Sequence, residues 1–171
     1  MKVNVRAKQM VYGTAAVLLL LSVMSTANAV GERPAANAAA ERTITVWISS
    51  LESKDGKLVM KADPIAWYMG KDADKVFAEH DPEGAAEIGG APDGYYIVND
   101  DKTMEAYEVS PQAEVQMQLY HPDAIKWNEK ISLQQFIRAL DEKATFDQTG
   151  FPYHITLEDG KIVKIVQQYI P

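Results

Sequence analysis

The sequence predicts a β-rich α+β domain built on a small OB-like barrel, and three observations carry that prediction. Strand-like stretches outnumber helical ones. Two Asp-Gly-Lys turns, at Asp55-Gly56-Lys57 and Asp159-Gly160-Lys161, each sit between apolar alternating runs. One helix with a well-specified start falls before the last strand pair. With an insertion at 64–104 set aside, the order is three strands, a helix and two strands. In full it reads β-β-[helix/hairpin insertion]-β-α-β-β, the order of a barrel that closes its sheet and protects its edges. A mixed sheet with two helices on one face is the alternative arrangement.

Residues 43–53 open the domain, with Ile44, Val46 and Ile48 at a period of two. Asp55-Gly56 turns the chain and residues 57–61 return. Residues 70–80 predict a short helix, because Ala73, Val76, Phe77 and His80 fall on one face. Asp81-Pro82 ends it. Residues 81–94, rich in glycine and poor in apolar side chains, predict a mobile loop. Residues 95–98 read as a strand, Asn99-Asp100-Asp101 as its turn, and residues 104–109 as the returning partner. Ala113, Val115, Met117 and Leu119 alternate with Glu114, Gln116 and Gln118, as in a strand with one wet face. Ser132 and Gln135 form a capping box, with Ile131 stapled onto Phe136, before the apolar stripe Leu133, Phe136, Ile137 and Leu140. In the last hairpin a three-residue loop with Gly160 as a bulge aligns Tyr153, Ile155 and Leu157 with Ile165, Val163 and Lys161. That register keeps Lys164 off the buried face.

Ahead of the domain, Lys2, Arg6 and Lys8 precede an apolar run of about 13 residues and the small-x-small triplet Ala27-Asn28-Ala29. The run is short of the ~20 residues that span a bilayer. Residues 1–29 therefore predict a signal peptide cleaved after Ala29, residues 30–42 an alanine-rich disordered linker, and residues 43–171 a single secreted domain. The leader takes three basic residues and no acidic one with it, so the net charge falls from −7 to −10. Such a polyanion is repelled by nucleic acid and by anionic lipid, which excludes nucleic acid as a partner. There is no cysteine. Neither disulfides nor a lipid anchor on cysteine is available, and no stable membrane anchor is expected after cleavage.

Chemistry-bearing patterns are sparse. His80, His121 and His154 are the metal candidates, although their spacing matches no metal motif. Asp72-x-Asp74 begins like a calcium loop and fails at Val76 and Phe77. Asp81, Glu83, Glu87 and Asp93, or Asp100 and Asp101, leave room only for weak calcium binding. No cofactor is otherwise expected. No nucleophile elbow, phosphate loop or distinct carboxylate pair is present, which points away from an enzyme. The aromatic residues are the remaining signal. Trp67-Tyr68 and Tyr95-Tyr96 flank the insertion and, with Trp127, form the candidate binding surface. In each adjacent pair one ring is expected on either side of its strand. Trp47 and Tyr169 are expected in the core.

The run from Pro152 to Ile165, closing on Gln168-Tyr169-Ile170-Pro171, combines with residues 63–70 and with Tyr95-Tyr96-Ile97-Val98-Asn99. Together these resemble small exported proteins of unknown function from Gram-positive bacteria, over most of residues 57–171. The resemblance implies an exported, cysteine-free, β-rich domain and carries no activity. The expected function is therefore that of a secreted, monomeric, non-enzymatic binding protein whose partner is a protein or a cell-wall component. A small metal-binding protein (calcium or zinc) or a hydrolase is the alternative.

Overall fold

A computed structural model of the chain describes residues 41–142 and 146–171. The expected signal peptide at 1–29 and the linker at 30–42, except its last two residues, lie outside them. The elements are β1 (Arg42–Lys54), β2 (Lys57–Met69), α1 (Gly70–His80), α2 (Pro82–Ile88), β3 (Tyr95–Val98), β4 (Glu105–Met117), β5 (Glu129–Ile131), α3 (Leu133–Asp141), a 3₁₀ turn (Gln148–Gly150), β6 (Pro152–Glu158) and β7 (Lys161–Gln167).

Five strands close a barrel. β2 pairs with β1 and β4, β4 with β7 in parallel, β7 with β6, and β6 with β1. This is an OB-like barrel with α3 between its third and fourth strands, and the closure excludes the alternative open mixed sheet. Inward positions alternate along each strand: Val46 and Ile48, Met60 and Ala62, Tyr107 and Val109, Tyr153, Ile155 and Leu157 are all buried. Phe136 of α3 plugs the interior, its ring edge-on to Tyr153 at 5.5 Å. The capping box forms as the sequence dictates, with Ser132 Oγ accepting from Gln135 N–H and Gln135 Oε1 accepting from Ser132 N–H.

Both Asp-Gly turns are two-residue turns with positive φ at each position: 52° and 77° at Asp55-Gly56, 49° and 77° at Asp159-Gly160. That twist suits tightly joined antiparallel strands. The three-residue loop expected at Gly160 is therefore corrected. Leu157 faces Ile162, Val163 is the extra residue of a bulge, and Ile155 faces Ile165. The bulge inside β7, not the loop, keeps Lys164 away from Ile155.

Three further expectations are corrected. Residues 81–94 are not a loop throughout, because Asp81 caps α2 by accepting from Gly84 N–H and Pro82 stands at its first turn. The β3 strand pairs with β2 rather than with residues 104–109. Residues 105–117 form one strand interrupted by a bulge: between Val109 and Glu114 β4 advances five residues while β7 advances two, from Ile162 to Lys164.

The buried glutamines at one end of the barrel are fully engaged. Gln167 Oε1 accepts from the backbone N–H of Gln118 and Leu119, and Gln167 Nε2 donates to Gln148 Oε1 at 2.7 Å. Gln148 Nε2 donates to the carbonyls of Leu119 and Tyr120, and the Tyr153 hydroxyl donates to Gln148 O. Burial raises the Tyr153 hydroxyl pKa, so this donor stays protonated.

Candidate binding surface

β2 outruns the barrel. Leu58–Ala62 pair with β4, but Ala66–Met69 pair with β3, so the strand leaves the barrel as a two-stranded ribbon. Trp67 faces Ile97 and Met69 faces Tyr95, while Tyr68 faces Tyr96. Alternation thus splits both aromatic pairs between two faces, as their adjacency predicts.

On one face, α1 covers Tyr96. Phe77 lies 5.5 Å and His80 5.8 Å from the Tyr96 ring. Tyr68 and Tyr96 are half-buried there. The other face continues onto the outside of β1 and β6. Trp67 and Tyr95 stack at 4.6 Å with an interplanar angle of 11°. The edge of Trp67 meets His154 at 6.1 Å. His154 Nδ1 is bonded to Thr45 Oγ1 at 2.9 Å and Nε2 to Gln168 Oε1 at 3.1 Å. Gln168 N–H donates to Pro152 O, fixing the C-terminal segment along β6. The next residue, Tyr169, meets Trp127 edge-on at 5.8 Å. Contacts therefore run in a belt from Tyr95 through Trp67, His154 and Gln168 to Tyr169 and Trp127. Trp127 is its most open member, 65% exposed. Tyr169 and Trp47 are half-buried rather than in the core. Trp47 faces Asp63 on the outside of the barrel because β1 alternates and Val46 and Ile48 take the inward positions.

Asp63 is the unexpected member of this face, only 6% exposed. Its Oδ2 accepts from Asn99 Nδ2 at 2.9 Å. Its Oδ1 has no partner, and neither has Asn99 Oδ1 or the indole N–H of Trp67. These are three of the four buried, unpartnered side-chain polar atoms among the described residues; the fourth is Glu129 Oε2. Leaving such a group unmade costs about 1–3 kcal/mol. Tyr95, alongside, has its hydroxyl pKa raised by burial and then by the Asp93 charge.

The three histidines stand in three separate settings. His80 lies against Tyr96, His121 against Tyr120 at 4.6 Å, and His154 has both ring nitrogens engaged. Among the described residues no group of three histidine, aspartate or glutamate side chains converges as a metal site. Asp74 and Asp81, from the acidic stretches, accept from backbone N–H groups of Ala91 and Gly84, and Asp101 accepts from the Thr103 hydroxyl. Among the described residues no helix is long and apolar enough to cross a membrane.

On the opposite side of β2, Glu108 of β4 receives Lys57 and Lys161, each at 2.8 Å. Its carboxyl pKa is held below the usual range by Lys161 and then Lys57. The strand-two and strand-three face that OB folds commonly use for oligomeric ligands is here crossed by this ion triad, between two turns too short to form clamping loops. No family model matches the chain at a significant level, nor does any curated protein or solved structure.

Of the aromatic residues singled out from the sequence, Trp67, Tyr95 and Trp127 lie in the belt, and Tyr68 and Tyr96 lie on the α1-covered face. Asp63, Asn99 and Gln168 carry no chemical motif and reach this face only through strand register.

Proposed function

We propose that this chain is an exported, monomeric, non-enzymatic binding protein of the cell envelope or extracellular space. Its partner, a protein or a cell-wall component, engages the belt running from Tyr95 and Trp67 to Trp127. The supporting observation is the trio of unpartnered buried atoms on Asp63, Trp67 and Asn99. Three of the four unpartnered buried side-chain atoms among the described residues thus fall on one face, and unmade buried groups that cluster in this way are a mark of functional sites. Rigid aromatic rings with polar handles are the side chains that anchor recognition surfaces. Each of these atoms is shut off from solvent, so a partner rich in hydroxyl or amide groups reaches the two acceptor oxygens and the indole donor by displacing the side chains that cover them.

Two measurements test the reading. Mass spectrometry of protein from an exporting host is expected to find the chain beginning at Val30. That protein is expected to be retained by purified cell wall or by a secreted protein, and Trp67→Ala with Tyr95→Ala is expected to abolish retention. Turnover of a substrate without any retention contradicts it.

A further inference from the structure

A second site lies at the opposite end of the barrel, independent of the aromatic belt. The β4 bulge draws residues 110–113 away from β7 and opens a groove of about 630 Å³ beneath α3. That volume lies within the ~300–1,000 Å³ range of small-molecule sites. Its wall is the flank of α3. Phe136 and Leu140 of the helix stripe are buried in the core, but Leu133 and Ile137, one turn apart, are only half-buried and line the groove. Leu58 and Val109, inward-facing partners on β2 and β4, form the floor, and Pro111 of the bulge completes an apolar lining.

Two lysines stand at the mouth. Lys57 and Lys161 both line it and share the single carboxylate of Glu108, so two ammonium groups meet one negative charge. Each ammonium has three donors and spends one on Glu108, leaving capacity for a second anion. Beyond the mouth, the turn tips carry exposed Asp55, Glu158 and Asp159. These acids repel an extended anionic surface such as a bilayer more strongly than a single small anion.

We propose that this groove binds a single-chain fatty carboxylate, its alkyl chain against Leu58, Leu133 and Ile137 and its carboxylate between Lys57 and Lys161. An uncharged apolar molecule lacks the group that uses the lysine pair. A phospholipid bilayer presents its charges to the acidic tips.

The probe is cis-parinaric acid, titrated below its micelle threshold into the chain purified from an exporting host. Saturable fluorescence with one site per chain is expected, with displacement by dodecanoate. Methyl dodecanoate should compete about tenfold less well, and Lys57→Gln with Lys161→Gln should weaken the acid by a similar factor, the loss of the two contacts its carboxylate makes at this exposed mouth. Both lysines are exposed, so the fold survives their replacement. Gln134→Trp, an exposed helix position on the groove wall, should block binding by filling the space without touching the core. Four results overturn the proposal: no saturable signal; equal competition by acid and ester; undiminished binding in Gln134→Trp of unchanged melting temperature; or association with phosphatidylglycerol vesicles but not with monomeric acid.

Discussion

The glutamines of the barrel and the Asp63–Asn99 pair of the ribbon are both buried polar clusters on long-range partners, and they are built to opposite standards. Gln167 and Gln148 close a network in which the backbone N–H groups of Gln118 and Leu119, just past β4, and the carbonyls of Leu119, Tyr120 and Gln148 all find partners. Asp63 and Asn99 make one bond between them, and an oxygen on each stays unmade. A fully satisfied buried network fixes one structure, while a half-satisfied one is worse than an apolar patch unless something else completes it. The barrel end is therefore framework, and the ribbon face is where the proposed partner would have something to gain.

The largest expected effect lies on the framework side. Gln167→Ala leaves the N–H groups of Gln118 and Leu119 and the Gln148 oxygen without their partner, and should lower stability by about 2–4 kcal/mol in urea unfolding. A loss under about 1 kcal/mol would erase the contrast between the two clusters.

On the ribbon the sign should reverse. Asp63→Asn supplies a donor to Asn99 Oδ1 while keeping an acceptor for Asn99 Nδ2. The variant should be more stable by about 1 kcal/mol, and destabilisation would mean the lone carboxylate already has what it needs.

The smallest effect belongs to Glu108. Its folded pKa is depressed, so its contribution is fully present above the ordinary value of 4.5 and is lost as pH falls through the lowered folded value. The melting temperature should drop below that pH, and Glu108→Gln should flatten that part of the profile. An unchanged profile in Glu108→Gln would assign the acid dependence to other carboxylates.

The barrel was legible because its signals are local. Asp-Gly pairs, the Ser132–Gln135 box and period-two runs each act within a few residues. The errors arose where local signals had two readings. Asp81-Pro82 both ends α1 and caps α2, and Lys164 can be kept off the buried face by a loop bulge or by a strand bulge at Val163. Trp47 was expected in the core for its size, but strand alternation gave the inward positions to Val46 and Ile48. The site was legible only in its aromatics. Asp63 and Asn99 are 36 positions apart, and nothing near either shows that β2 exchanges β4 for β3 beside them.

One variant tests the central claim most directly. Trp67→Phe keeps a ring to stack on Tyr95 and removes the unpartnered indole N–H. Its melting temperature and its retention on the partner of the wild-type chain should be measured side by side. The account requires a protein that melts at or above the wild-type temperature and binds less. A protein that melts lower and binds as well would show that the indole N–H serves the fold and not a partner.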